Sequence, residues 1–164
     1  MLSHVNPRPK GAVAGVTLME MIIVVMLLSL MIGITYPALT SGIETLRLNS
    51  AAAAVAGFLN AAVNRAERRG QAVEIIVTRQ QNTIRLAAAE PGFERVLTMP
   101  DGVAIEAVLP QQPVLDEGPR QFLMLPGSLA PRMGVVLLGR RGDRRTVRLN
   151  PISGAPQIDK GAPQ

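Results

Sequence analysis

Gly15-Val16-Thr17-Leu18-Met19-Glu20, followed by MIIVVMLLSLMIGITYPALTSGI at residues 21–43, decides how the rest of the chain is read. Residues 21–43 carry no charged side chain. An α-helix rises about 1.5 Å per residue, so about 20 apolar residues cross a hydrocarbon core about 30 Å thick. The run is long enough to span a membrane. Glu20 stands at its start, where a carboxylate is costly and a functional role requires a partner.

What precedes the run sets its type. Residues 1–14 include Arg8 and Lys10 and no acid, and positive charge beside a membrane segment keeps that side cytoplasmic. A secretory signal peptide places its small-residue cleavage site after the apolar region. Here the small residues, Ala12-Val13-Ala14-Gly15, come first. A cut at that point removes the basic leader and leaves the apolar helix on the mature chain. An ordinary signal anchor, with Glu20 at the headgroups, is the plainer alternative.

Composition narrows the function classes. Among 164 residues there is no Cys, and the one His is His4, inside the predicted leader. Thiol chemistry, disulfides and Cys-ligated metals are excluded. The common nucleophile–base pairs and zinc sites lose their usual residues. The sequence therefore points away from an enzyme, and no cofactor or metal is expected. The formal charge is +5. Its positive part is uneven, with Arg120, Arg132, Arg140, Arg141, Arg144, Arg145 and Arg148 against Asp143 alone in that stretch.

Past the apolar run, Ile43, Leu46, Ala51, Val55, Phe58 or Leu59, Ala62, Val63 and Ala66 recur at helical spacing. Glu44, Arg47, Asn49, Asn60, Asn64, Arg65 and Arg68 take the other face. The reading is one helix over about 16–69, stopped by Gly70, with Arg68 and Arg69 at the negative end of its dipole. Pro37, flanked by Gly33 and Gly42, predicts a kink or a melted turn. The four alanines 51–54 read as close-packing core positions rather than low complexity.

From residue 72 the period becomes that of strands. Strand candidates fall at 73–79, 83–86, 93–99, 103–109, 121–125, 133–138 and 146–149, with turns at 80–82, 101–102 and 139–145. Residues 110–120 hold three Pro and one Gly and read as a loop. The expected fold class is α+β, with a small antiparallel sheet covering the amphipathic helix. The expected organisation is a leader at 1–15, a transmembrane and filament-core helix at 16–42, and its amphipathic continuation at 43–70. A β domain at 71–154 and a flexible tail at 155–164 follow.

Gly15-Val16-Thr17-Leu18-Met19-Glu20 with a basic leader and an uncharged helix resembles the processing signal of type IV prepilins and type II secretion pseudopilins. The family pattern is Gly-Phe-Thr-Leu-x-Glu, and Val16 stands where Phe is usual. The resemblance implies that a membrane aspartyl prepilin peptidase cuts between Gly15 and Val16 and that Val16 is then N-methylated. It implies a pilin-like α+β fold and a subunit-assembly role for Glu20, paired with a neighbour's N-terminal amine. Pro37 matches a position where pilin helices commonly carry Pro. There it would be either a plain kink or a weak point that lets the helix extend during packing.

A second likeness covers the carboxyl half. The segment Phe122-Leu123-Met124-Leu125-Pro126-Gly127, then Gly134-Val135-Val136-Leu137, then Thr146-Val147-Arg148-Leu149 with Gly154 is similar to the family of general secretion pathway protein H and fimbrial protein T. Ala155 departs from the Gly-Arg that ends the family's last element. The implied function is a minor pseudopilin of the type II secretion pseudopilus, anchored once in the bacterial inner membrane with its β domain periplasmic. Its implied partners are the prepilin peptidase, other major and minor pseudopilins and the inner-membrane assembly platform. The alternative is a minor type IV pilin for pilus assembly or DNA uptake. For that role the candidate basic contact surface is Arg140, Arg141, Arg144, Arg145 and Arg148. A solvated basic turn, or a contact for an acidic neighbour subunit, is the favoured reading of those arginines, and Tyr36 is the one Tyr in a chain without Trp. Base stacking is thus poorly supplied, and nucleic acid is not the expected partner.

Overall fold

The computed structural model describes residues 15–88, 92–111 and 118–161, with backbone alone at 36–41. Helix α1 covers Leu18–Arg69, and the chain divides into two compact units between Leu39 and Thr40.

In the first unit, Thr17 starts the helix. Its Oγ1 accepts the Glu20 N–H at 3.2 Å, and its carbonyl accepts the Met21 N–H at 3.2 Å. Thr-x-x-Glu at a helix start is the spacing of a capping box. Leu18–Thr35 is long and apolar enough to cross a membrane, and none of it is buried in the protein. Two hydroxyls in it are satisfied internally. Ser29 Oγ donates to the Val25 carbonyl and Thr35 Oγ1 to the Met31 carbonyl, each at 2.8 Å. Such back-bonding lets a hydroxyl reside in an apolar segment. The helix runs continuously through Pro37.

The second unit opens with the rest of α1. Leu48, Ala51, Ala52, Val55, Leu59, Ala62 and Ala66 are buried, at steps of one, three and four. This corrects the sequence reading at the front of the stripe. Ile43 and Leu46 are 56% and 69% exposed. Two residues turn a helix by about 200°, so a face centred on Leu48 points Leu46 away from the sheets. Of the four alanines, Ala51 and Ala52 are buried and Ala53 and Ala54 are exposed, so only half of that segment packs. Gly70, at φ +62°, follows the last helical residue as a left-handed cap.

Eight strands follow: β1 Val73–Thr78, β2 Thr83–Ala88, β3 Glu94–Thr98, β4 Val103–Leu109, β5 Arg120–Met124, β6 Gly134–Gly139, β7 Arg144–Leu149 and β8 Pro156–Lys160. They form two four-stranded antiparallel sheets, ordered β3-β2-β1-β5 and β4-β6-β7-β8. A single sheet was expected. One core joins both sheets to the helix, with Ile75, Ile84 and Leu86 from the first, Leu137, Val108 and Val147 from the second, and Val55 and Leu59 from α1.

Asn82 joins the sheets to each other. It sits at φ 51° in the β1–β2 turn, a conformation Asn tolerates. Its carbonyl accepts the Met99 N–H and its Oδ1 accepts the Ile105 N–H, both at 2.9 Å. Ile105 lies where the β4 register shifts, between Ile105 and Ala107. A bulge leaves backbone groups unpaired in the ladder and re-aims a side chain; here the residue between is Glu106.

The chain after Ala155, expected as a flexible tail, instead forms β8 and pairs with β7 from Leu149↔Pro156 to Arg145↔Lys160. An edge strand exposed along most of its length carries no apolar alternation, and Pro156 at its first residue is a position where a strand tolerates Pro. Buried Thr146 fastens it, donating Oγ1–H to the Gly161 carbonyl at 2.9 Å. The expected turn at 139–145 is also shorter, because Arg144 and Arg145 belong to β7.

Candidate functional site

Two places concern function: the helix start in the first unit and the arginine hairpin in the second.

At the helix start, Gly15, Val16 and Glu20 are exposed. A Cβ built on Gly15 meets nothing within 4 Å. The fold therefore makes no demand for Gly there. Any requirement for a small residue would come from a partner that binds this segment. Residues 1–14, with Arg8, Lys10 and His4, lie outside the described residues. Thr17 is the residue that the sequence reading left without a structural role. It caps the helix, and the signal for it was present as Thr17-x-x-Glu20 ahead of an apolar run.

The hairpin between β6 and β7 carries the arginines. Its turn is closed by the Gly139 N–H on the Asp143 carbonyl at 2.9 Å and the Gly142 N–H on the Gly139 carbonyl at 3.0 Å. Gly142 sits at φ +84°, left-handed backbone that favours glycine. The structure does not assemble the five candidates into one surface. Arg144 is committed to Glu106 in a bidentate pair, Nε to Oε2 and Nη2 to Oε1 at 2.6 Å each. That fork geometry is the strong form of an Arg–carboxylate contact. The hydrogen bond from Arg144 holds the Glu106 carboxyl below its ordinary value. Partial burial opposes the shift, and the positive charges of Arg144 and Arg79 add to it.

Strand alternation sends Arg145 to the other side of β7, where its Nε donates to Asn49 Oδ1 of α1 at 2.9 Å. Arg148 lies at the opposite end of β7, level with Gly134. Its Cγ would stand 3.0 Å from a Cβ on Gly134, so the missing side chain there lets the Arg148 stem cross β6. Arg140 and Arg141 remain exposed at the tip. Arg140 lies across Gly102, where an added Cβ would meet its Nε at 2.6 Å. The neighbouring Asp101 carbonyl accepts Arg47 Nη1 at 3.2 Å. Sequence reasoning missed Asn49, Glu106 and Arg47 as the partners of this region. They lie far away in the chain, and the β4 bulge that aims Glu106 has no sequence signature here.

The aromatic residues near other arginines are already engaged. The Arg65 guanidinium stands 3.5 Å from the Phe93 ring centroid, with Arg95 at 5.8 Å. Among the described residues no group of three or more His, Cys, Asp or Glu could hold a metal ion. A groove of about 500 Å³ is lined by Leu109, Pro110, Arg132, Met133, Arg148 and Leu149. No protein-family profile, curated protein or solved structure matches this chain.

Proposed function

We propose that the chain is a minor pseudopilin, a structural subunit of a type II secretion pseudopilus that works by assembly rather than by chemistry. The single observation that carries this reading is the helix start. Gly15, whose side-chain space is empty, precedes a Thr17-capped apolar helix with Glu20 in its first turn, and the apolar segment buries none of its surface within its own chain. An apolar helix left bare in this way has to be covered by lipid or by other helices. A prepilin peptidase cutting between Gly15 and Val16 would free an N-terminal amine at Val16, which would then be methylated. Inner-membrane anchorage, a periplasmic β domain and packing with other pseudopilins follow from the same reading, with Glu20 pairing a neighbour's amine.

A minor type IV pilin shares the helix start. The DNA-uptake form of that reading is weakened by the arginine hairpin, because Arg144 is held by Glu106 and Arg145 by Asn49. Sequence-independent nucleic-acid binding needs phosphate-facing cations and free aromatic faces.

The test is a deletion strain, scored for proteins in the culture supernatant and for surface pili and DNA uptake on the same cells. Secreted enzymes trapped in the periplasm, with pili and uptake normal, is the expected result. Normal secretion with failed piliation or uptake overturns the pseudopilus assignment in favour of a pilin.

A further inference from the structure

We propose that the groove beside Arg132 and Arg148 docks an extended segment of a partner protein, one that offers a carboxylate next to an apolar side chain. The site lies wholly in the second unit and needs neither the apolar helix nor a membrane.

The groove forms where β4 and β7 end and β6 begins. Gly134 pairs with Leu109 on one side and with Arg148 on the other. A Cβ on Gly134 would meet Arg148 Cγ at 3.0 Å and Leu109 Cδ1 at 3.1 Å. The glycine thus lets both side chains close over β6. Pro110 is fixed through its carbonyl, which accepts Arg120 Nη2 at 3.1 Å. The other lining residues sit on two segments tied through the backbone. The Leu149 N–H donates to the Met133 carbonyl at 3.0 Å, and the Ala130 N–H to the Pro151 carbonyl at 3.1 Å. A groove held this way is formed before anything enters it.

Charge selects the occupant. Along β7, Arg144 has Glu106 and Arg145 has Asn49. Arg148 bonds to no described residue, and its Nε is shut off from solvent without an acceptor. Arg132, exposed at the rim, pairs with no described residue either. No acid lines the groove. A buried donor without an acceptor is costly, and a guanidinium without a counter-charge is the natural seat of a carboxylate, which it meets through two parallel hydrogen bonds.

The rim makes the occupant a protein. Ile152 is 86% exposed and Leu129 is 72% exposed. They adjoin Pro151 and Ala130, the residues just joined, so both stand beside the groove. Ile152 is held out on a braced turn. Asn150 Oδ1 accepts the Ile152 and Ser153 N–H groups at 2.9 and 3.2 Å, and the Asn150 carbonyl accepts the Gly154 N–H at 2.8 Å. Large apolar side chains fixed outside a pocket are covered by a chain that runs past it, not by a small anion inside it. A volume of about 500 Å³ takes a few side chains, which suits an extended segment.

The test titrates the full chain in mild detergent against short fluorescein-labelled peptides, read by anisotropy with empty micelles subtracted. One peptide carries a central Leu-Asp and an amidated end. A second replaces the Asp by Asn, and a third has that Asn with a free C-terminal carboxylate. The first should saturate, and the second should bind at least about tenfold more weakly, because a charged hydrogen bond is lost. The third shows whether a chain terminus also serves as the acid, and either answer agrees with the proposal. Arg132→Gln and Arg148→Gln should each weaken the first peptide by about tenfold or more. Leu129→Ser with Ile152→Ser should weaken all three. Arg140→Gln with Arg141→Gln, at the hairpin tip, should change nothing. Arg132 is exposed, so its variant keeps the test open if Arg148→Gln fails to fold.

Equal binding of the Asp and Asn peptides overturns the proposal, as does equal loss from tip and groove substitutions. No saturation by about 1 mM in folded wild type also overturns it. Binding that emerges only with Asp116→Asn and Glu117→Gln gives the groove to the chain's own acids and overturns a partner. Self-crosslinking that Arg148→Gln abolishes, with no peptide bound, gives it to a second copy and does the same. None of these outcomes touches the pseudopilin assignment, which the deletion strain decides.

Discussion

Replacing Leu59 by Ala and, separately, Leu46 by Ala tests which face of α1 holds the β domain. Both are leucines on the same helix. Leu59 is fully buried, between the sheets and the helix axis, in the shared core with Val55, Ile75 and Leu137. Leu46 is 69% exposed. Removing a buried leucine side chain loses its transfer free energy and leaves a cavity, about 3–5 kcal/mol in well-packed cores. Removing an exposed one costs about 0.5 kcal/mol or less. For a domain of this size about 1 kcal/mol corresponds to about 4 °C in Tm. Leu59→Ala should therefore lower Tm by about 12–20 °C, and Leu46→Ala by about 2 °C or less. The assay is thermal unfolding of the full chain in a mild detergent, followed by the loss of far-ultraviolet circular dichroism. Shifts of equal size, or a larger one for Leu46→Ala, would refute the argument, because they would place the buried face of the helix where Leu46 points.

Gly15→Leu should leave Tm unchanged, since the space beside Gly15 is empty, while full-length precursor accumulates on a gel; normal processing would remove the cleavage assignment. Glu20→Ala should still be cut, but crosslinked filament fractions should contain far less of it than of wild type, and wild-type incorporation would show that Glu20 has no pairing role. Acid should weaken the β domain through Glu106. Its folded pKa is lowered, so its contribution is complete above its ordinary value of 4.5 and is lost as pH falls through the depressed folded value. Glu106→Gln should flatten that acid limb of the Tm-against-pH curve relative to wild type, and an unchanged limb would show that the Arg144 pair is not its source. Thr17→Ala should fray the first turn at a cost of about 1 kcal/mol, read as faster amide hydrogen exchange at Met19, Glu20 and Met21.

Much of the architecture was legible in the sequence because period changes are strong signals. The helix over Leu18–Arg69 and the strand Val103–Leu109 follow directly from apolar spacing and from the Gly70 and Asp101-Gly102 punctuation. What was not legible depends on partners. The helix phase failed at Ile43 and Leu46 because the buried face is centred on Leu48, and both residues point away from it while Glu44 and Thr45 between them are half-buried. Strand β8 was missed because an edge strand needs little apolar surface, and its support comes from Thr146 and the β7 ladder. The arginine cluster looked like one surface because five cations lie within nine residues. Strand alternation and two partners remote in sequence, Asn49 and Glu106, divided it.

The two sheets exchange strands along the chain. The first takes β1, β2, β3 and then β5, while β4 has already gone to the second with β6, β7 and β8. A break in the backbone between β4 and β5 would yield two fragments, each carrying three strands of one sheet and the missing edge of the other. Neither fragment could complete its own sheet. Each would close the other's, through β5 on β1 and β4 on β6. Complementary halves severed there should reassemble like a reciprocal clasp, and two intact copies brought close together have the same trade open to them.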